Sequence, residues 1–563
     1  MNDDSPTTGS APGSGVAADA EEFTLDHGID PDVYAKRWYS LAVLCLSLLI
    51  IMIGNTALNV AIPILSEELQ ATNSQLQWMI DAYSLVFAGL LFTAGNFGDR
   101  YGRKGILQAG LLIFGAATAY AAFFADSSAD LIGARLVMGA GAAMVMPATL
   151  SIVTNIFPTH ERAKAVALWA GIAGAGSALG PLASGFVLEH WGWSSVFLVN
   201  VPFILAALVL GAILVPRSKG EGDTPLDYLG ALFSTVGLSL VVYALIEAPA
   251  NGWLSPHTLI ISAIGIGSIA LFIFHELRTE FPMLDVRLFR ISAFGTSSLV
   301  LTMVFFALMG TFFSLTQLLQ LVWGYTPLEA AVRLLPISFF MMLAAPQSAN
   351  LAEKFGKSRV VGAGMGLVGI GILIISRVGV DANYWLLIGG ACVMATGMGL
   401  AMSPTTDLLM SSVPRKNAGM GSAMNDTTRE LGGSLGVAIF GSLLASKYVH
   451  GLEGMLTQIP AKYQEIVTGS LGGAMKVAEG VKKAGAPAEV IDQFVVSTKQ
   501  AWIGGLRLSL VIAGLIVLAA SAVAFFLLPN KAADVEELER AAQAGGNAEP
   551  GETGAQAEAP AGV

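Results

Sequence analysis

The sequence Asn96-Phe-Gly-Asp-Arg-Tyr-Gly-Arg103 has a counterpart in the second part of the chain, Asn350-Leu-Ala-Glu-Lys-Phe-Gly-Lys357. The two stretches match position by position in chemical type, with the acid, the bases and the last glycine in register. Further matches are the proline pairs Pro147 with Pro404 and Pro158 with Pro414. Chance similarity between basic loops would rarely keep a whole loop in register, so we predict an internal repeat of two homologous halves.

Apolar residues dominate the sequence around this repeat. Of the 563 residues, 54% are hydrophobic and 13% are charged, whereas a soluble globular chain carries about 25% charged residues. The apolar residues fall in blocks of about 20, the length that a helix needs to cross a hydrocarbon layer about 30 Å thick. This composition excludes a disordered chain, a nucleic-acid binder and an ordinary cytosolic enzyme. It predicts an all-α integral membrane protein, because helices satisfy their backbone hydrogen bonds internally.

We expect fourteen transmembrane helices, at roughly 39–62, 76–97, 105–124, 131–153, 163–188, 194–215, 228–247, 257–275, 292–318, 328–350, 358–378, 384–410, 418–446 and 504–528. Alternate connections between them are basic, with Lys36, Arg37, Arg100, Arg103, Lys104, Arg162, Lys164, Arg217, Lys219, Arg278, Arg287, Arg290, Lys354, Lys357, Arg359, Arg415 and Lys416. The short loops between the other helices carry little beyond Arg377. Basic loops of this kind face the cytoplasm. We therefore expect both termini in the cytoplasm and the chain in a bacterial plasma membrane.

The negative charge of the chain is concentrated in its tails. The net charge is −11, but 1–35 and 531–563 hold an excess of acids and are rich in small residues and proline, so we predict that both are disordered. Between the tails we expect a six-helix bundle at 36–220, two additional transmembrane helices at 221–280, and a second six-helix bundle at 281–530 with an extracellular helical hairpin in the loop 447–503. Pseudo-symmetric bundles are a transporter architecture, in which the substrate site lies between the bundles near the middle of the membrane.

The loop inside the repeat has the residues of a conformational latch. Its glycines permit a tight turn and close helix approach, its acid can face a helix N-terminus, and its bases can bind carbonyl groups at helix ends. Such a cluster can hold two bundles together in one conformation and release them in another, whereas a plain cytoplasmic loop would need no ordered glycine or acid. The latch residues are Gly95, Asp99, Arg100, Gly102, Arg103 and Lys104.

Three motifs together resemble the major facilitator superfamily. The latch resembles the signature loop of that family. Arg135, with Gly139 and Gly141 in the fourth span, resembles its second motif, in which a membrane-embedded Arg tunes a proton site. The small residues of the fifth span resemble the antiporter motif of its drug exporters, here Gly171, Gly174, Gly176, Gly180, Pro181 and Gly185. Over residues 36–530 the sequence is similar to the fourteen-helix drug:proton antiporters.

This resemblance implies a proton-coupled secondary transporter that exports amphipathic, cationic drugs or toxic compounds by antiport and alternating access. Two departures matter: Gly54 stands where members commonly carry an Asp in the first span, and 336–342 in the tenth span lacks an acid that some members have. An exporter of a lipid or an endogenous metabolite is therefore the alternative within transport. A non-transporting membrane receptor or sensor is the alternative of a different class, although the tails contain no foldable signalling domain.

Acidic residues inside the spans are the candidates for proton coupling and substrate binding. A charge in the middle of a bilayer is costly and usually functional, and a carboxylate in a half-wet cavity can take a proton from one side and yield it to the other. The candidates are Asp81, Asp426 and Glu430, with the basic residue Arg135. Each also has a structural interpretation, as an interfacial helix start for Asp81 and as a member of an ion pair for the others. Asp407, near the end of its span, is interpreted either as a transport residue or as a cap of the cytoplasmic loop.

The remaining polar residues suggest no cofactor, no metal and no enzyme. A nucleotide-binding P-loop is missing, so we do not expect ATP to drive the protein. The histidines are scattered, and both cysteines, Cys45 and Cys392, lie inside apolar runs. The expected partners are a small-molecule substrate (a lipophilic cation or a lipid-like compound), protons and the lipid bilayer, with no nucleic acid, and we expect a monomer.

Overall fold

The computed structural model describes residues 30–217, 227–280, 282, 284–413, 418–457, 459–484 and 486–530. Within these ranges the chain forms helices joined by short connections. The second predicted tail, 531–563, lies outside the described residues, and so does the first up to residue 29. The first helix begins at Pro31, so the last residues of the predicted tail 1–35 are helical.

The first half of the chain contains two long spans that are each divided in two. Its helices are α1 (Pro31–Thr56), α2 (Leu58–Glu68), α3 (Asn73–Tyr101), α4 (Arg103–Phe123), α5 (Ser128–Ile156), α6 (Thr159–His190), α7 (Ser195–Leu198) and α8 (Val201–Leu214). α1 and α2 form one span that is interrupted at Ala57. α7 is a single turn that leads into α8, so the pair occupies the sixth predicted span.

Two helices, α9 (Tyr228–Asn251) and α10 (Pro256–Glu276), pack against each other between the two halves of the sequence. The second half then contains a 3-10 turn (Val286–Arg290), α11 (Ser292–Gln317), a π-helical turn (Leu318–Val322), α12 (Pro327–Phe355), α13 (Lys357–Ile375), α14 (Tyr384–Ser411), α15 (Ala418–Leu456), α16 (Ala461–Gly469), α17 (Leu471–Lys483) and α18 (Ala488–Leu527). α15 and α18 extend well beyond the predicted spans, so the hairpin α16–α17 is shorter than the predicted loop 447–503.

Every predicted span falls on a helix. In the described part of the chain, twelve helical segments are long and apolar enough to cross a membrane, which places the protein in the all-α membrane class. α3 and α6, which carry the second and fifth predicted spans, are 29 and 32 residues long and are not among those twelve. They bear the polar and glycine-rich motifs, and the count of fourteen spans stays a prediction.

The internal repeat is visible in how α3 and α12 begin and end. Each helix starts with a capping box, at Thr72 and at Thr326. The threonine hydroxyl accepts from the backbone N–H three residues later, and the side chain of that later residue accepts from the threonine backbone N–H. Each ends at a glycine with a positive φ, 111° at Gly102 and 92° at Gly356. Glycine adopts this backbone conformation without steric cost, so the presence of glycine at the matching position of both loops has a local physical cause.

The two halves have separate hydrophobic cores. One cluster of buried side chains lies almost entirely within residues 41–215, and a second lies within 300–528. The halves meet chiefly where α3 packs against α15 and where α6 packs against α12. The molecule is therefore two bundles with an interface between them, and α9 lies beside the α3–α15 contact.

The two ends of the molecule differ in their contacts. We call the end that carries Gly102 and Gly356 the basic end, and the end that carries α16 and α17 the hairpin end. At the basic end Arg103 donates to the Ser151 carbonyl at 3.3 Å, and Lys357 forms an ion pair with Asp407. These contacts are equivalent under the repeat. In each half, the basic residue directly after the glycine binds a residue of the fourth span of that half.

Candidate functional site

A row of polar side chains lines the contact between the two halves. α3 and α15 run antiparallel there. Gln77, early in α3, lies beside Ser442 late in α15, and Ser84, further along α3, lies beside Glu430 earlier in α15. We call this row the polar seam, and it consists of Gln77, Asp81 and Ser84 on α3 with Glu430, Ser434 and Ser442 on α15. The close approach at its hairpin end requires a glycine, because a Cβ on Gly441 would come within 2.5 Å of the Gln77 side chain.

Asp81 lies in the middle of the polar seam and is 0% exposed. Neither of its carboxylate oxygens has a hydrogen-bond partner among the described residues. The Ser434 hydroxyl of α15 is its polar neighbour across the interface, but the two groups are outside hydrogen-bonding geometry. An acidic side chain in this position is costly to bury without donors, and it sits where the halves would separate.

Glu430 reaches across the interface to the first half. Its Oε1 accepts from the Asn55 side-chain amide of α1 at 3.5 Å, and the Ser84 hydroxyl also interacts with its carboxylate. Asn55 lies two residues before the interruption at Ala57, so the break between α1 and α2 adjoins this contact. Glu430 thereby connects α15 with two helices of the other half.

Arg135 of α5 is 0% exposed and lies between α1 and α3. Its Nε donates to the Met79 carbonyl at 2.8 Å, and its Nη1 donates to the Gly54 carbonyl at 3.0 Å. Its guanidinium carbon is 4.3 Å from the centroid of the Tyr83 ring, a cation–π distance. Nη2 has no hydrogen-bond partner within the described ranges, and Glu430 is close enough to act on the arginine charge.

The structure gives a reason for the glycine at position 54. Its backbone carbonyl accepts a hydrogen bond from Arg135, and the space beside its Cα is limited. A Cβ at Gly54 would approach the ring carbon Cζ of Phe114 to 2.9 Å. The Phe114 ring thus occupies the volume into which a larger side chain would extend.

Asp426 lies one helical turn before Glu430. Its carboxylate accepts from the Asn425 amide at 3.2 Å, and Arg429 acts on its charge. The Arg429 guanidinium carbon is 5.4 Å from the Phe305 ring. The structure therefore brings Glu430 close to Arg135 and places Asp81 opposite Ser434, one helical turn further along α15. Asp426 lies one turn from Glu430 in the direction of the basic end.

The small residues of the antiporter motif lie at close helix contacts. A Cβ on Gly176 would come within 2.7 Å of the Met52 side chain, and one on Gly185 within 3.0 Å of the Leu328 backbone in α12. Gly180 adjoins the interruption between α1 and α2, where the nearby Ser184 hydroxyl donates to the Ala57 carbonyl at 2.7 Å. Pro181 lies inside α6. The motif therefore packs α6 both on the broken first span and on the other half.

Two of the three bases of the latch bind carbonyl groups within their own half. Besides the Arg103 contact, Lys104 donates to the Ala212 carbonyl at 2.8 Å, and Arg100 lies 5.6 Å from the Tyr101 ring. Gly95 lies beside Pro147. The side chain of Asp99 is outside the described part of the structure, so the latch function stays a prediction.

Several contacts close the interface at the hairpin end. The Ser66 hydroxyl of α2 donates to the Ser470 hydroxyl at 2.9 Å, and the Lys476 ammonium donates to the Glu67 carbonyl at 2.9 Å. The Gln320 amide donates to the Val60 carbonyl at 3.0 Å. All three bonds connect α2 of the first half with the second half, so the two bundles are held together at this end.

Some site residues were not singled out in the sequence. Asn55 follows the unusual Gly54, and Gln77 and Ser84 flank Asp81 in the same helix, so their position beside the candidates was the available signal. Ser442 gave no signal, because a lone serine in an apolar span resembles any other. In the described part of the chain no group of three metal-binding side chains comes together.

Comparisons with known proteins agree with this architecture. A family model described as Major Facilitator Superfamily matches residues 44–437. The multidrug efflux pump LfrA of Mycolicibacterium smegmatis is 36% identical over 493 residues, which cover 87% of this chain and 95% of that protein. The methyl viologen resistance protein SmvA of Salmonella typhimurium is 33% identical over 456 residues, 79% of this chain and 90% of that protein.

Solved structures share the fold at low identity. A bacterial homologue of the human lysosomal transporter Spinster superposes with a TM-score of 0.61 at 17% identity, covering 88% of this chain and 97% of that one. The xylose transporter XylE from E. coli gives a TM-score of 0.54 at 14% identity, covering 90% and 99%.

Proposed function

The chain belongs to the major facilitator superfamily, and from this premise we propose that it exports amphipathic, cationic compounds in exchange for protons. It is a multi-pass membrane transporter of a family whose similar members are named as multidrug efflux and resistance proteins, which supports drug export by a secondary transporter. The basic loops support an orientation with the basic end in the cytoplasm and the hairpin end outside.

The observation that carries the coupling proposal is the position of Asp81. It is buried in the contact between two separate bundles, with no hydrogen-bond partner in the described structure. A carboxyl group at such a place changes the cost of separating the bundles when it gains or loses a proton. Proton uptake at one end and release at the other would thus be linked to the opening of the interface.

Glu430 and Arg135 extend this mechanism to both halves. When Glu430 is ionised, it is attracted by Arg135 and by the Asn55 amide of the first half, and this attraction favours a closed interface. Protonation removes the attraction, and a bound cation competes with the proton for the same carboxylates. Asp426, one turn away, extends the acidic surface toward the basic end, from which we propose that substrate enters.

The alternative cargo is a neutral lipid or an endogenous metabolite. One observation favours it: the Phe114 ring of α4 fills the space beside Gly54 of the first span, so an aromatic group and no carboxylate lies at that position. Binding of a radiolabelled lipophilic cation, compared with binding of a neutral lipid probe, distinguishes the two cargoes.

The direct test is drug-dependent proton movement in everted membrane vesicles. With tetraphenylphosphonium as the probe, we expect the native protein to exchange the cation for protons, and Asp81→Asn to lose nearly all of this exchange because the site can no longer ionise. Glu430→Gln should do the same, and Asp426→Asn should weaken cation uptake.

The control variant is Glu453→Gln, whose carboxylate lies exposed on α15 at the hairpin end and pairs with His450. It should retain native exchange. Normal exchange in both Asp81→Asn and Asp426→Asn, at native protein levels, would remove these residues from the mechanism.

A further inference from the structure

The additional helix α9 contacts both halves of the transporter. It packs beside the polar seam in a small apolar cluster formed by Val242 and Ile246 of α9 with Leu85 of α3 and Ala438 of α15. The position separates the seam from the surrounding lipid. A row of polar side chains exposed to hydrocarbon is unfavourable, so α9 has a physical reason to lie there.

A proline in the last turn of α9 frees one backbone acceptor. Pro249 has no N–H, so the Leu245 carbonyl four residues earlier lacks its helical donor. The Ser442 hydroxyl of α15 donates to this carbonyl at 2.6 Å. The same hydroxyl is 3.3 Å from Gln77 Oε1, but it has a single proton, and the shorter distance favours the Leu245 carbonyl.

The neighbouring carbonyl of α9 is bound from the other half. The Ser74 hydroxyl of α3 donates to the Ile246 carbonyl at 3.3 Å. Two adjacent carbonyls of one helix therefore accept hydrogen bonds from serines of the two opposite bundles. This arrangement joins the bundles through α9 at the hairpin end.

The two attachments of α9 are similar in extent and differ in kind. Its contacts with α3 continue along the helix, from Ser74 past the ring pair Trp78 and Tyr243, whose centroids are 5.9 Å apart, to Gly89. At Gly89 an added Cβ would come within 2.4 Å of the Thr235 hydroxyl. Its contacts with α15 involve the apolar side chains of Leu435 and Ala438, and the hydroxyl of Ser442 supplies the hydrogen bond.

We propose that α9 moves with the first half, and that the hydrogen bond from Ser442 to the Leu245 carbonyl is a releasable clasp of the hairpin-end gate. Ser442 is a positioning residue in this proposal, since it acts through α9 and touches no substrate. The inference rests on the proposed alternating-access function. It assigns a task in the transport cycle to one of the two helices that the internal repeat does not contain.

The test measures the gate and not transport. In a variant free of the native cysteines Cys45 and Cys392, spin labels at Asp126→Cys and Asp381→Cys report the distance between exposed loops of the two halves at the hairpin end. Ser442→Ala should raise the ratio of open to closed molecules roughly two- to ten-fold, the range for one neutral hydrogen bond. Ser442→Thr keeps the hydroxyl and should restore the native distribution.

Two further variants make the test specific. Ser74→Ala removes the corresponding bond to the first half and should leave the distance distribution unchanged, because α9 moves with α3 and this bond is then present in both the open and the closed conformation. Pro249→Ala supplies an N–H to the Leu245 carbonyl and should shift the distribution in the same direction as Ser442→Ala, with no added shift in the double variant.

Equal shifts for Ser74→Ala and Ser442→Ala, or no shift for Ser442→Ala, would overturn the clasp. These outcomes are independent of the proton exchange assay. A protein whose gate responds as expected but which exchanges no cation would contradict the proposed function and leave the clasp in place.

Discussion

At the scale of single residues, the site depends on backbone groups as much as on charged side chains. Arg135 is bound by the carbonyls of Met79 and Gly54 and by the face of Tyr83. No carboxylate comes within ion-pair distance of it in the described structure. Its charge is therefore available to Glu430 across the interface, and Gly54, which supplies one of the two carbonyls, packs against the Phe114 ring.

This fit can be tested by adding one methyl group. Gly54→Ala should destabilise the protein by about 1–3 kcal/mol, because the new Cβ would be 2.9 Å from Phe114 Cζ in a fully buried place. Phe114→Leu should partly rescue it by removing the ring. Unfolding midpoints of the purified variants in detergent are the measurement, and strictly additive losses in the double variant would contradict the steric explanation.

At the scale of helices, the boundaries of α3 and α12 follow from local chemistry. A threonine in a capping box starts each helix, and a glycine with positive φ ends it. The same glycine also begins the next helix at once, since α4 starts at Arg103 and α13 at Lys357. The tight connection holds the basic side chains next to the fourth span of each half.

Two glycines of the repeated stretch 96–103 should respond differently to alanine. Gly102→Ala should cost about 1–2 kcal/mol of stability, because alanine is strained at a φ of 111°. Gly98 lies in the body of α3, and a Cβ added there would meet open space. Gly98→Ala should therefore be neutral or stabilising by up to about 1 kcal/mol. Thermal unfolding of both variants distinguishes them, and equal effects would argue against a backbone origin.

The helices and the repeat could be predicted from the sequence because their signals are local. Runs of apolar residues, the glycine and acid of each loop, and charge asymmetry each act over a few residues. Asp81, Glu430 and Arg135 could be singled out as charged residues within spans and by the resemblance to a known family, but the contact of Glu430 with the first half joins residues far apart in the chain and had no local signal. The bond between Ser442 and the Leu245 carbonyl had no sequence signal, because it joins residues far apart in the chain through a backbone atom that Pro249 leaves without a donor.

At the scale of the whole molecule, the hairpin α16–α17 belongs to the second half but binds the first. Lys476 donates to carbonyls at the C-terminal end of α2, where a positive charge is favourable. Nearby, burial raises the pKa of Glu67, and the charge of Glu479 adds to this effect. Ionised Glu67 therefore weakens docking. Neutral Glu67 favours docking. This contribution to the stability of the docked hairpin is complete below the ordinary glutamate pKa and is lost as the pH rises through the raised pKa.

Glu67→Gln should strengthen hairpin docking at neutral pH, because it removes a charge that burial disfavours. We expect slower hydrogen exchange of residues 461–483 than in the native protein at neutral pH. The difference should vanish at about pH 3.5, below the usual glutamate pKa, where the native side chain is neutral as well. Glu465→Gln, exposed on the same hairpin, is the control and should leave exchange unchanged. Faster exchange in Glu67→Gln would contradict the sign of this effect.

The separate hydrophobic cores of the two bundles divide the consequences of mutation into two kinds. A substitution inside either core damages one bundle, so it should reduce how much protein accumulates in the membrane while each surviving molecule turns over normally. A substitution on the facing surfaces leaves both bundles intact and alters the rate at which each molecule works. Natural variants of this transporter that differ in resistance but not in abundance should therefore map to the facing surfaces.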